Sequence, residues 1–330
     1  MKLSRSRGAS LAALLSCAAL ALSACGSGSI AEQTKENEKK AADSGNCGDL
    51  NIAVNPWVGY EASAYVVGYV AQSELGCKVD YKELKEDVSW QGFGTGAVDV
   101  VIEDWGHPDL EKKFVKDKGG DGSATDFGPN GNVGIIHWYV PPWLAKAHPD
   151  ILDYKNLNKY AKQFATSESG GKGQFLGADP SYVQFDEAIV NNLKLDFKVV
   201  FSGSEAASIQ AFQKAEADKK FLIGYFYEPQ WLFAEVPLEA VKLPPYTEGC
   251  QDVPAKVACD YPETELKKVV STSWAESGSG AVDLVKNFTW TNEDQNLVAK
   301  YIAEDQMDPA DAAKKWVEAN PDKVDAWLKN

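Results

Sequence analysis

The stretch DLNIAVNPWVGYEASAYVVGYVAQSELGCKVDYKEL, Asp49 to Leu84, decides the fold. DLNIAVN (Asp49–Asn55) is apolar nearly throughout, as a strand covered on both faces must be. Helical spacing follows over Ala62–Leu75, then a second strand, KVDYKEL. A helix around Trp90 leads into a third strand, AVDVVIED (Ala97–Asp104). This β-α-β-α-β rhythm predicts an α/β fold with a mainly parallel sheet flanked by helices. Ligands of such sheets bind beyond the C-terminal strand ends, where loops and helix N-termini gather. WVGYE (Trp57–Glu61) and DWGHP (Asp104–Pro108) both sit at such ends.

Glycine-rich DKGGDGSATDFGPNGN (Asp117–Asn132) is expected to be a surface excursion. VGIIHWYVPPW after it reads as a strand closed by two prolines, the first crossing into another lobe. That lobe is α/β again: the strand QFLGAD, a helix from PSYVQFDEAIVNNL, the strand KVVFS, a helix SEAASIQAFQKAEAD with Ser204 as its cap, and the strand KKFLIGYFYEP. EAVKLPP is the expected return crossing, and a helical pattern is expected from Glu263 onward. At its end Asp308 caps a helix, Pro309 sits in the first turn, Pro321 starts another helix, and Trp316 and Trp327 fall in the core. The boundaries that follow are 47–137 plus 236–330 for the first lobe and 138–235 for the second. Two α/β lobes joined by two crossover segments describe a hinged binding protein with its ligand in the cleft.

Ahead of these lobes, MKLSRSRGAS is basic and LAALLSCAALAL is an apolar run short of a membrane span. LSAC (Leu22–Cys25) resembles the lipobox of bacterial lipoproteins, which implies a signal peptide over 1–24 and a lipid-modified Cys25. Residues 25–46 are polar and rich in Ser, Gly, Lys and Glu, as in a flexible tether. Removing residues 1–24 takes away Lys2, Arg5 and Arg7 and no acid, so the formal charge moves from −15 to −18. Such a balance argues against nucleic acid or an acidic membrane surface as partner. No arginine follows Arg7, so the guanidinium fork by which many receptors hold a carboxylate or phosphate is missing.

Cys47, Cys77, Cys250 and Cys259 make an even number in a chain read as exported, which favours disulfides. Of three possible pairings, Cys47–Cys77 and Cys250–Cys259 are favoured: the first pair precedes two adjacent strands, and the second closes a short loop. Their spacings suggest no metal site.

Catalytic patterns are weak. Histidine occurs three times, at His107, His137 and His148, and no serine stands in a G-x-S-x-G elbow. SGGKGQ (Ser169–Gln174) lacks the first P-loop glycine, Thr166 standing there. A secreted hydrolase using Glu103, Asp104 or His107 is the distant alternative, and no cofactor is implied.

Four aromatic residues carry more information. Trp57, Trp105, Tyr182 and Tyr227 each lie just beyond an expected strand, two from each lobe. Aromatic faces attract cations by about 0.5–2 kcal/mol per ring when desolvated. A quaternary ammonium has no N–H to donate, so rings on several sides suit it better than hydrogen-bonding groups do.

WQGFGTGAVDVVIEDW (Trp90–Trp105), VPPWL (Val140–Leu144), ADPSY (Ala178–Tyr182), GYFYEPQW (Gly224–Trp231) and the tail from Asp308 to Leu328 together resemble the glycine betaine/proline betaine/choline-binding proteins of ABC importers. The resemblance spans Asn51 to Asn330 and implies a two-lobed, type II periplasmic-binding-protein fold. It maps an aromatic cage onto Trp105, Tyr182 and Tyr227, with Trp57 as a fourth member. It also maps contacts to a ligand carboxylate onto His107 and the amides of Val183 and Gln184. Two cage members are tyrosine where relatives often have tryptophan.

Four acids, Glu61, Glu103, Asp104 and Glu228, stand near strand ends. Strand alternation sends Glu103 and Asp104 to opposite faces, so one at most points at the ligand and the other is expected at a helix N-terminus. Glu61 and Asp104 are carried as ligand-binding candidates. This surplus of acid keeps a choline-like or other cationic ligand open beside betaines. The expected partners are a small quaternary-ammonium or betaine solute, an ABC permease and the membrane through the lipid, with the protein a monomer.

Overall fold

A computed structural model describes residues 47–329 except Val183; the leader 1–24, Cys25 and the tether expected over 25–46 lie outside the described residues. β1 (Asp49–Val54) pairs in parallel with β2 (Lys78–Glu83) and with β3 (Val100–Asp104). Between β1 and β2 runs α1 (Val58–Leu75), buried over most of its first half. Short α2 (Glu86–Gln91) and α3 (Pro108–Phe114) flank β3. The first lobe therefore follows the β-α-β-α-β reading of Asp49–Asp104.

The next strand, β4, spans Ala124–Val140. It takes in much of the stretch expected as a surface excursion, because register shifts beside Gly128 and between Pro129 and Val133 absorb the glycines as bulges. In the second lobe β5 (Gly173–Gly177) pairs in parallel with β6 (Phe197–Phe201) and β7 (Gly224–Glu228). Among its helices are α4 (Asp186–Asn192) and α5 (Glu205–Asp218), the second capped by the Ser204 hydroxyl as expected. EAVKLPP is not itself the return: β8 (Glu239–Ala240) pairs with the far end of β4, and Asn192 of α4 donates to the carbonyls of Ala255 and Val257.

The chain comes back at β9 (Thr264–Ser271), a strand where a helical pattern was expected. Its lysines masked the alternation. Lys268 is buried, its ammonium donating to the Lys286 and Phe288 carbonyls at 2.8 and 2.7 Å. β9 pairs antiparallel with β3 and with the first part of β4, while Ile135–Tyr139 of β4 pair antiparallel with β7. The order β2-β1-β3-β9-β4-β7-β5-β6 results, so the parallel parts of the two lobes are joined through the antiparallel strands β9 and β4.

Three C-terminal helices, α6 (Asn292–Ala303), α7 (Pro309–Ala319) and α8 (Pro321–Trp327), complete the first lobe. Asp308 caps α7, and the buried rings of Trp316 and Trp327 stack at 5.8 Å. Both disulfides pair as favoured, Cys47–Cys77 and Cys250–Cys259. Among the described residues no helix is long and apolar enough to cross a membrane.

Candidate functional site

Strand ends converge where the two halves meet. Trp57 follows β1 and precedes the first turn of α1; Trp105 follows β3. Both indole N–H groups donate at 2.9 Å to the same oxygen of Glu103, and the Ser63 hydroxyl donates to the other at 3.1 Å. Glu103 is fully buried. Burial pushes its carboxyl up, opposed by these donors. One acid thus fixes two rings. Gly134, where β4 passes from β9 towards β7, leaves room for this arrangement: a Cβ there would lie 2.6 Å from the Trp105 ring.

From the second lobe come Tyr182, beyond β5, and Tyr227, within β7 near its end. The Tyr182 hydroxyl donates to the Pro56 carbonyl at 2.7 Å, and that of Tyr227 donates to Glu205. Successive rings stand nearly perpendicular: Trp57 to Tyr182 at 5.5 Å and 81°, Tyr182 to Tyr227 at 6.2 Å and 81°, Tyr227 to Trp105 at 5.4 Å and 83°. All four line one cavity of about 850 Å³. Its other walls include Ile136, Phe185, Tyr225 and Tyr261, and residues Gln251, Asp252 and Pro254 of the disulfide-closed segment.

His107 also lines this cavity, held between two acids: Nδ1 lies 2.7 Å from Asp104 and Nε2 3.2 Å from Glu86. Burial works against its charge, but hydrogen bonds to Asp104 and Glu86 prevail and lift its pKa to about 11. It is therefore an imidazolium with both nitrogens donating, suited neither to act as a base near neutrality nor to ligate a metal. Asp104 itself is not on the cavity. Its partners are His107 and the Gly106 amide, at 3.1 Å, in place of the helix N-terminus expected for one of the two acids. Glu103 is the acid that reaches the rings.

Glu61 stands apart from the cavity on α1, where burial and the charges of Glu83 and Asp308 raise its carboxyl. Glu228 likewise does not line it; it pairs in register with Ile135. Val183 lies outside the described residues, and the Gln184 side chain donates to the Asp179 carbonyl at 2.7 Å. Sequence reasoning passed over Glu86 and Glu205. Glu205 begins α5 just after Ser204, and a carboxylate so close behind the strand KVVFS was the available signal.

The OpuAC family model, described as the substrate binding domain of ABC-type glycine betaine transport systems, matches residues 48–319. The chain belongs to this family. Among curated relatives, the trimethylamine N-oxide-binding protein of Pelagibacter ubique (strain HTCC1062) is 27% identical over 280 residues, covering 82% of this chain and 87% of that protein. The glycine betaine/carnitine transport binding protein GbuC of Listeria monocytogenes serotype 1/2a (strain 10403S) is 30% identical over 126 residues, 38% of each chain. Two solved structures share the fold. Lactococcal OpuAC, closed and complexed with glycine betaine, superposes with a TM-score of 0.67 at 21% identity, over 86% of this chain and all of the other. An ABC-transporter choline binding protein complexed with choline gives 0.68 at 19%, over 86% and 92%. The fold is accordingly the type II periplasmic-binding-protein fold. OpuAC members are substrate-binding domains of ABC transporters, extracytoplasmic and not enzymes.

Proposed function

We propose that this protein is an extracytoplasmic lipoprotein that captures a quaternary-ammonium or betaine-type solute, glycine betaine or a similar compound, in a cage formed by Trp57, Trp105, Tyr182 and Tyr227. It hands the solute to the permease of an ABC importer. In this reading residues 1–24 are removed, Cys25 carries the lipid, residues 25–46 tether the domain, and the protein acts as a monomer. One observation carries the ligand class: four rings from both halves, each nearly perpendicular to the next, surround a cavity. A tetrahedral onium presents methyl groups in several directions, and each ring face adds about 0.5–2 kcal/mol of cation–π attraction. The absence of any arginine after Arg7 fits a ligand held chiefly by its cation.

A choline-like ligand without a carboxylate is the second reading. It draws support from Glu103, fully buried, and Glu205, partly buried, two carboxylates bonded to the rings themselves. The test is to release whatever copurifies with the protein from its native source and identify it by mass spectrometry. A quaternary ammonium or betaine is expected; a polyamine, sugar or amino acid without a quaternary nitrogen contradicts the proposal.

A further inference from the structure

Glu205 stands at the first position of α5 in the second lobe, yet its carboxylate reaches the first. One oxygen accepts the Val58 amide, at the start of α1, at 2.9 Å; the other accepts the Tyr227 hydroxyl and, at 2.5 Å, the Gln230 amide. Tyr182 meanwhile donates to the Pro56 carbonyl and sets its ring edge-on to Trp57. Residues 56–58, which carry one cage ring, are thus gripped by two side chains of the other lobe. The Val58 contact of Glu205 can exist only while the two lobes meet, whereas its bonds to Tyr227 and Gln230 lie within its own lobe.

We infer that Glu205 is a positioning residue that senses ligand charge: ionised in an empty closed cleft it opposes closure, and a cation among the rings removes that opposition. The inference rests on the reading of the ring cluster as a cation site. Removing a carboxylate from water is costly unless charge compensates it. Facing Glu205 are the Val58 amide of α1, Tyr227 and Gln230 on and after β7, Glu103 of β3, and Tyr182 beyond β5. None of these carries a positive charge, and Glu103 adds like-charge repulsion. In the closed cleft burial accordingly pushes the Glu205 carboxyl up to about 7. For Glu205 to act in this way, the group must gain water once the lobes are apart and the Val58 contact is broken, and move back towards the ordinary carboxylate range. Closing an empty cleft therefore takes up a proton, so acid favours the closed empty form between that range and about pH 7. An onium behind the Tyr227 ring substitutes for the proton and leaves Glu205 ionised, bonded to the positive end of α1.

The test compares wild type, Glu205→Gln and Trp105→Ala by small-angle scattering without ligand at pH 5.5, 7 and 8.5, and by calorimetry with choline and glycine betaine at pH 7. Wild type should become more compact as pH falls. Glu205→Gln, neutral at every pH, should already be compact at pH 7, lose most of this pH dependence, and bind both compounds roughly tenfold more weakly or worse. An E205Q protein with wild-type pH dependence, or with wild-type affinity, overturns the inference. If that happens while Trp105→Ala weakens binding by roughly fivefold or more, the cage stands and the role of Glu205 falls. If neither variant affects binding, the cage reading falls with it.

Discussion

Trp105 and Tyr227 meet edge to face at 5.4 Å from opposite halves of the molecule, and each donates to a carboxylate, Glu103 and Glu205 respectively. Truncating either should remove one wall of the cage and its share of apolar contact. Trp105→Ala and Tyr227→Ala are each expected to lose about 1–3 kcal/mol of binding, read by calorimetry. His107 provides a second prediction. Its pKa is raised to about 11 by Asp104 and Glu86, against an unfolded value of about 6.5. The stabilisation is thus fully present below about pH 6.5 and is lost as pH climbs towards 11. Its ring resonances in NMR should remain those of an imidazolium from pH 5 to 9, whereas a midpoint near neutrality contradicts the buried triad. His107→Ala, which strands two buried acids, should cost about 3–5 kcal/mol in denaturant unfolding. At this scale the four rings were legible because each lies at or just beyond a strand end, Tyr227 inside β7 and the others after their strands. Partnerships among the acids were not: Glu103 and Asp104 are neighbours in sequence, and which one meets the indoles depends on the course of β3, irregular in its pairing with β9 between Val101 and Asp104.

The two disulfides belong to the scale of elements. Cys47–Cys77 spans 30 residues and ties the entries of β1 and β2; Cys250–Cys259 spans 9 and closes a segment that borders the cavity. Loop-closure entropy assigns about 3.6 kcal/mol to the longer and about 2.6 kcal/mol to the shorter. Replacing each pair by serine should therefore lower the unfolding midpoint more for Cys47/Cys77. The shorter pair should affect ligand affinity more, since Gln251, Asp252 and Pro254 sit on the cavity wall. The parallel units were readable from apolar runs and helical spacing. β9 was not, because Lys267 and Lys268 interrupt it and the carbonyls that satisfy Lys268, of Lys286 and Phe288, lie far along the chain. The first part of β4 hid behind glycines that its bulges accommodate.

At the scale of the molecule, two crossings were expected from proline-flanked strands. The first expected crossing lies within β4, whose pairing passes from β9 to β7 between Gly134 and Ile135. The second comes later than the sequence suggested: residues 239–240 still pair with the second half, and Thr264 is the first to pair with the first half again. Hinge position is set by pairing between distant strands, which local pattern does not reveal. Closure around a ligand should shrink the radius of gyration in solution scattering. The central claim, that four rings hold a fully alkylated nitrogen, is tested most directly by one calorimetric comparison at neutral pH, glycine betaine against dimethylglycine. The two differ by a single N-methyl group. The cage predicts that the quaternary compound binds at least tenfold more tightly, because dimethylglycine keeps an N–H that the rings cannot satisfy and gives up a hydration they cannot replace. Equal binding, or preference for dimethylglycine, would contradict it.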